Sequence, residues 1–389
     1  MKGTHQRRSL FRDERGSVLL MVAGGLVAII GMAALAIDLG ILFTARSEAQ
    51  RAAEAGAHAG ASVFLSAPND EATAREQARI YAERNTVRWG AVEILDEDID
   101  VELDQQLVRV RVRRTQERGN PVANLFARIF GINTSDIGAV AAAQSWPADG
   151  VECLLPFAAP DRWSVDGQNT GSLTNYPGPT DVYDADNDLY RAWNPAAPTD
   201  PYTGYSMNDR GYPIRMYSGD PDDAPQPSWW YAFCLPGGNC GANTMRDAIQ
   251  GCLSDDRYTF GEEMDVETEP GAMAGPVRHG FEHLIDQDPD ARWSDSLNNG
   301  EGCVTRDGQS CVSSSPRIRP MVLFDPSQPP ELGRSTFTIM NFVGVFIERT
   351  QGGGAAFQVD VRFMQYTALE PPDEWYDSDT TLRMIRIVE

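Results

Sequence analysis

From Gly16 to Ile37 the chain runs for 22 residues without a charged side chain, and the apolar character continues past Asp38 through Leu39, Ile41, Leu42 and Phe43. A bilayer core takes ~20 apolar helical residues, so a helix over 18–43 can cross it. Lys2, Arg7, Arg8, Arg12 and Arg15 precede the run, opposed by Asp13 and Glu14. The positive-inside bias then keeps residues 1–17 in the cytoplasm and sends everything beyond 43 outside. Ala34-Leu35-Ala36 fits a cleavage site, and Arg7-Arg8-Ser9-Leu10-Phe11 has the look of a twin-arginine signal. Against cleavage, the apolar run does not stop after Ala36, so a retained anchor is the expectation. Gly24, Gly25, Gly31, Ala36 and Gly40 form a small-residue face on which a second membrane helix could approach closely. Asp38 is the only acid in the run, and its position near the outer end predicts simple interfacial solvation.

The remainder is unevenly charged. Net charge is +2 over residues 1–60, −4 over 61–150 and −21 over 151–389, against −23 for all 389 residues. The six cysteines lie beyond residue 150 and 20 of the 25 prolines between 151 and 330, which puts a boundary near 149. So acidic a chain lacks the basic footprint that phosphate recognition needs, and no nucleic-acid partner is expected. It also lacks a GxxxxGK[ST] loop and a GxGxxG turn, and no cofactor is implied.

Beyond the span, residues 44–66 read as a helical stalk with a smooth alanine and glycine side suited to packing against a partner. Residues 67–149 predict a small α+β module: a helix over 70–85, then strands over 92–95, 99–103 and 107–113. In the last of these, Val108, Val110 and Val112 alternate with Arg109, Arg111 and Arg113, so one face is buried and the other solvated. Asn120-Pro121 and Gly131 frame a helix over 121–130, and a strand follows over 134–146. Residues 150–389 form a loop-rich acidic ectodomain with strands expected over 318–324, 336–347, 357–366 and 382–388 and a Gly352-Gly353-Gly354 turn. The fold class is therefore α+β behind one membrane helix.

The segment 14–61 carries a Glu-Arg-Gly-Ser entry, a glycine-rich span, an Ala-Ile-Asp-Leu-Gly exit and an Arg-x-x-x-Gln-Arg-Ala-Ala-Glu-Ala stalk. As a set these resemble the N-terminal domain of TadG-like proteins of the bacterial Flp, or tight-adherence, pilus system. Leu155-Pro156-Phe157, Pro160-Asp161-Arg162-Trp163, Gly275-Pro276, the run 288–293, Pro316-Arg317-Ile318 and Phe324-Asp325-Pro326 look like the outer part of the same proteins. The resemblance implies a non-enzymatic pilus-assembly component of the bacterial inner membrane. Its partners would be other pilus-assembly or pseudopilin proteins, met through the membrane helix and the stalk. Two features depart from the system's pattern. The fifth residue after Gly16 is Met21 rather than Glu, which argues against prepilin-type processing, and no Asp-x-Ser-x-Ser pentad of a von Willebrand A domain is present.

Six cysteines outside the cytoplasm suggest three disulfides from 15 possible pairings. Cys303–Cys311 closes a short polar loop, and Cys234–Cys240 with Cys153–Cys252 is one arrangement of the rest. Two constellations compete with a structural role. His279, Glu282 and His283 fit H-x-x-E-H, whose histidines share a helical face and could hold zinc with Glu282 as base, the pattern of a hydrolase. Asp184, Asp186 and Asp188 gather hard oxygen ligands as a calcium loop would, the basis for an adhesin or ligand-binding reading. Leu189 and Pro195 nevertheless stand where an EF-hand needs Gly and Glu.

Overall fold

The structure is a computed structural model that describes residues 14–148, 150–194, 200–219, 223–233, 241–251, 257–268, 274–312, 314–331, 333–367 and 382–388. Its first element, α1 (Glu14–Ser62), is one continuous helix of 49 residues, about 73 Å long at 1.5 Å per residue. Span and stalk are thus a single rod. Up to Phe43 its large apolar side chains are mostly exposed, whereas Ala45, Ala49, Ala52, Ala53, Ala57 and Ala61 are completely buried. The alanine side expected to meet a partner is occupied within the chain, a correction to the stalk reading.

What occupies it is α2 (Glu71–Glu83) and a sheet. Asp70 caps α2, accepting from the Thr73 backbone N–H at 3.0 Å, which satisfies an otherwise orphaned donor. Ala74, Ala78 and Ala82 turn towards α1. The helices meet at Gly56 and Gly60: a methyl on Gly56 would lie 2.8 Å from the Ala78 carbonyl oxygen, and one on Gly60 2.8 Å from Val108 Cγ1. Strands β1 (Ile99–Glu102), β2 (Leu107–Arg114) and β3 (Ile137–Pro147) form the antiparallel sheet beneath. Val108, Val110 and Val112 face the helices, while Arg109 pairs with Glu102 at 3.2 Å and Arg111 with Asp100 at 2.6 Å. The sequence alternation is realised there. Residues 92–95, expected as a strand, are irregular, although Val92 and Ile94 are buried.

The second unit is a closed six-stranded barrel, which the sequence did not announce. Its strands are β4 (Phe157–Pro160), β5 (Pro213–Ser218), β6 (Trp229–Ala232), β7 (Ile318–Phe324), β8 (Asn341–Gln351) and β9 (Gln358–Met364), closed in the order β5-β6-β4-β7-β8-β9. β4 runs parallel to β7, with Ala158 opposite Val322, and antiparallel to β6. All six strands contribute to one apolar cluster, among them Phe157, Met216, Trp230, Leu323, Val345 and Val361. Helices α3 (Ala242–Gln250) and α4 (Ala274–Gln287) complete that cluster with Met245, Ile249, Val277, Phe281 and Leu284. Phe324, Val322, Phe342 and Tyr231, on the opposite faces of these strands, join a further cluster. β7 is therefore buried on both sides, which explains the apolar run Met321–Phe324 that follows Arg319 and Pro320.

The stretch expected as one strand over 336–347 is two. Gly333–Thr338 pairs with Glu263–Thr268, and only Asn341 onward enters the barrel. After β9 and the short β10 (Tyr366–Thr367), the last strand β11 (Leu382–Ile387) leaves the barrel and pairs antiparallel with β3, Ile385 opposite Ser145. The first sheet thus receives two further strands from late in the chain, β11 beside β3 and β10 beyond it. Arg210 also donates to the Ser66 carbonyl, and Asn69 to Glu301.

Candidate functional site

The acid in the apolar run is not solvated. Asp38 is buried, and its carboxylate accepts from the backbone N–H groups of Leu125 (2.9 Å), Phe126 (2.9 Å) and Ala127 (2.5 Å). These donors begin a 3-10 turn, Ala127–Phe130, which ends at Gly131 in the left-handed region with φ +85°. The helix expected over 121–130 is absent, since Val122–Ala123 form a short strand with Thr134–Ser135 and the next N–H groups go to Asp38 instead of to carbonyls four residues back. Asn124 closes the loop by donating to the Ile132 carbonyl at 3.2 Å. The interfacial-solvation expectation for Asp38 is overturned. A lone acid in an apolar run was visible in the sequence; its loop partner, some ninety residues away, was not.

His279, Glu282 and His283 lie on α4 as expected, with both histidines exposed. Glu282 is held by Arg278 at 2.6 Å, with His279 Nδ1 3.7 Å away, and His283 Nε2 contacts Gln287 at 2.7 Å. Gly280, a poor helix former, sits where α4 meets α3, because a methyl there would come within 2.7 Å of Ile249 Cβ. In the acidic loop Asp184 and Asp186 are exposed and only Asp188 of the three is buried. Asp184 accepts from the Asp186 N–H at 3.0 Å and from the Asn187 side chain at 2.6 Å, which hold it below the usual carboxylate range. Asp188 is buried and accepts from the N–H groups of Asp166 and Asp184, both at 3.0 Å. Among the described residues, no group of three His, Cys, Asp or Glu side chains could hold a metal ion.

Cys303 and Cys311 are joined by a disulfide, Cα–Cα 5.7 Å. Cys153 is also disulfide-bonded, while Cys234, Cys240 and Cys252 lie outside the described residues.

The phrases likened to the outer part of TadG-like proteins contain several heavily bonded polar residues of the barrel unit. Arg317 is buried and donates to four carbonyls: Ile347 at 2.8 Å, Asp288 at 3.0 Å, Ala291 at 2.7 Å and Glu348 at 2.6 Å. Asp288 in turn takes both arms of Arg306, at 2.8 and 2.7 Å, which hold its carboxyl low. Arg319 bonds the carbonyls of Ile249, Cys153 and Gly251. Asp161, fully buried, accepts from Tyr205 N–H at 2.8 Å, Arg162 N–H at 2.9 Å and Tyr190 hydroxyl at 3.2 Å. Burial pushes its carboxyl up to about 6 despite these bonds. Arg162 pairs with Asp209 and lies 3.5 Å from the centre of the Tyr176 ring. Sequence reasoning gave none of these residues a role, yet an arginine inside the apolar strand 318–324 was a signal, since a buried cation needs many acceptors.

The long helix decides the comparison with known proteins. Residues 16–63 match the family model Tad, putative Flp pilus-assembly TadE/G-like. The Tad segment coincides with α1 almost end to end and does not extend to the phrases after residue 150. No curated protein and no solved structure matches the chain. Together, the Tad match and a helix long and apolar enough to cross a membrane support a membrane-anchored role related to Flp pilus assembly.

Proposed function

We propose that this chain is a structural, non-enzymatic component of a Flp-type pilus-assembly machinery or related envelope machinery, anchored once in the bacterial inner membrane with its N-terminus in the cytoplasm and residues 44–389 outside. The observation that carries this reading is the continuity of α1: one helix is both the span and the central element of the first folded module. A rod without a break transmits position from the membrane to the ectodomain. The basic N-terminus and the disulfides support the orientation. Partner pilus proteins would meet the membrane half, where methyls on Gly24, Gly25, Gly31 and Gly40 would find nothing within 4 Å. The heavily bonded polar residues of the barrel unit tie loops to strands, as a scaffold requires.

Protease added to spheroplasts tests the orientation and carbonate extraction tests the anchor. The expected result is loss of the ectodomain with a membrane-retained N-terminal fragment. Full protection from protease, or release into the carbonate supernatant, would defeat the reading. Co-isolation of pilus-assembly proteins that depends on residues 18–43 is the corresponding test of the partner class.

A further inference from the structure

The loop clasped by Asp38 leads further. Gln50 of α1 donates to the Val140 carbonyl at 3.1 Å, while Val110 and Val108 lie against Gly56 and Gly60. Moving from Val108 towards Arg114 on β2 therefore descends α1 towards its apolar half, and the connection 115–136 leaves from the low end. Asp38 holds residues 125–127 twelve residues below Gln50, roughly 18 Å further down the rod. That level lies inside the apolar run, about 8 Å short of its end at Phe43. The loop tip nonetheless exposes large apolar side chains: Phe130 is 80% exposed, Ile129 75%, and Ile132 and Leu125 are also open. Its one charged residue between 125 and 132 is Arg128, whose long stem can reach a headgroup while the ring and aliphatic neighbours go deeper.

We propose that residues 125–132 are a lipid-seated foot. Leu125, Ile129, Phe130 and Ile132 enter the outer-facing leaflet beside α1, and Asp38 locks them to the span. The occupant is the bilayer that α1 crosses, because the exposed apolar surface of the loop continues that of residues 18–43. The depth agrees with the ~5–10 Å at which interfacial segments bury their apolar side. Placing an aspartate within the run is then explained, since three backbone donors replace the water it would lose. The inference rests on α1 being a membrane span.

The test uses the purified full-length chain in phosphatidylcholine–phosphatidylglycerol vesicles, with an environment-sensitive fluorophore on one introduced thiol. No described cysteine is free to compete. Phe130→Cys probes the foot, Val27→Cys the span and Val182→Cys an exposed ectodomain loop. Lipids carrying a quencher should extinguish the probes at 27 and 130, strongest at 130 when the quencher sits shallow on the acyl chain, and leave 182 bright. Quenching at 27 without quenching at 130 overturns the foot and leaves the anchor standing. No quenching at 27 removes the anchor reading and the foot with it. A photoreactive phenylalanine analogue at 130, which needs no new thiol, should cross-link to lipid; cross-linking to a protein instead overturns the proposal.

Discussion

The helical unit and the barrel are built from opposite materials. In the first, alanine and glycine bring helices and sheet into close backbone approach, and the charges of β2 stay on the solvated face in pairs such as Arg111–Asp100, with Asp38 and Asp98 buried on backbone N–H groups. In the second, aromatic side chains fill the space, and arginines and aspartates are buried in hydrogen bonds to distant backbone. The contrast follows from chain topology. Regular elements satisfy their own backbone groups, whereas a barrel joined by long loops leaves carbonyls that side chains must serve. One unit therefore depends on the absence of side-chain volume and the other on particular polar side chains.

The largest expected effect sits in the barrel. Arg317→Met leaves four carbonyls without their cation and should destabilise by about 3–5 kcal/mol, read as a lower denaturation midpoint of the full chain in detergent. A change below that of Gly56→Val in the helical unit would break the contrast.

Next is a pH effect confined to the barrel. Burial pushes the Asp161 carboxyl up to about 6 from an ordinary 3.8, so the folded state binds the proton more tightly. Its contribution is greatest below pH 3.8 and is lost as pH rises through 6, a swing of up to about 3 kcal/mol. Asp161→Asn retains an oxygen for the two N–H donors and should flatten this part of the profile. The difference between parent and variant melting temperatures, followed from pH 4.5 to 7.5, isolates it. Parallel curves would show that Asp161 stays ionised.

In the helical unit, Gly56→Val forces a side chain against the Ala78 carbonyl and should cost about 1–3 kcal/mol. Thermal melting should show this, and tolerance of valine would mean that the α1–α2 contact is looser than the geometry implies. The smallest effect is expected at the exposed helix face. His283→Ala should stay within about 0.5 kcal/mol, with added zinc leaving the melting temperature of the parent chain unchanged. A zinc-dependent rise abolished by the variant would restore the hydrolase reading.

The two units also differ in how far they could be read in advance. The helix over 70–85, the strands near 99–103 and 107–113 and the long strand before Trp146 emerge close to the expected bounds, because local periodicity and capping specify them. The helix over 121–130 fails because its backbone donors find Asp38. The strands over 318–324 and 382–388 were legible as strands, yet nothing local tells the former to close a barrel or the latter to return to β3.

The amino-acid order alone determined the membrane-length apolar run, its basic flank, the alternating Val/Arg strand and the cysteines confined to the acidic part. Tertiary structure alone decided that the stalk is a core helix, that Asp38 clasps a loop almost ninety residues away and that the last strand completes the first sheet. The physical reason is range. Periodicity and capping act within a few residues, whereas a buried carboxylate, a four-carbonyl arginine and a strand edge are satisfied by whatever the folded chain brings to them.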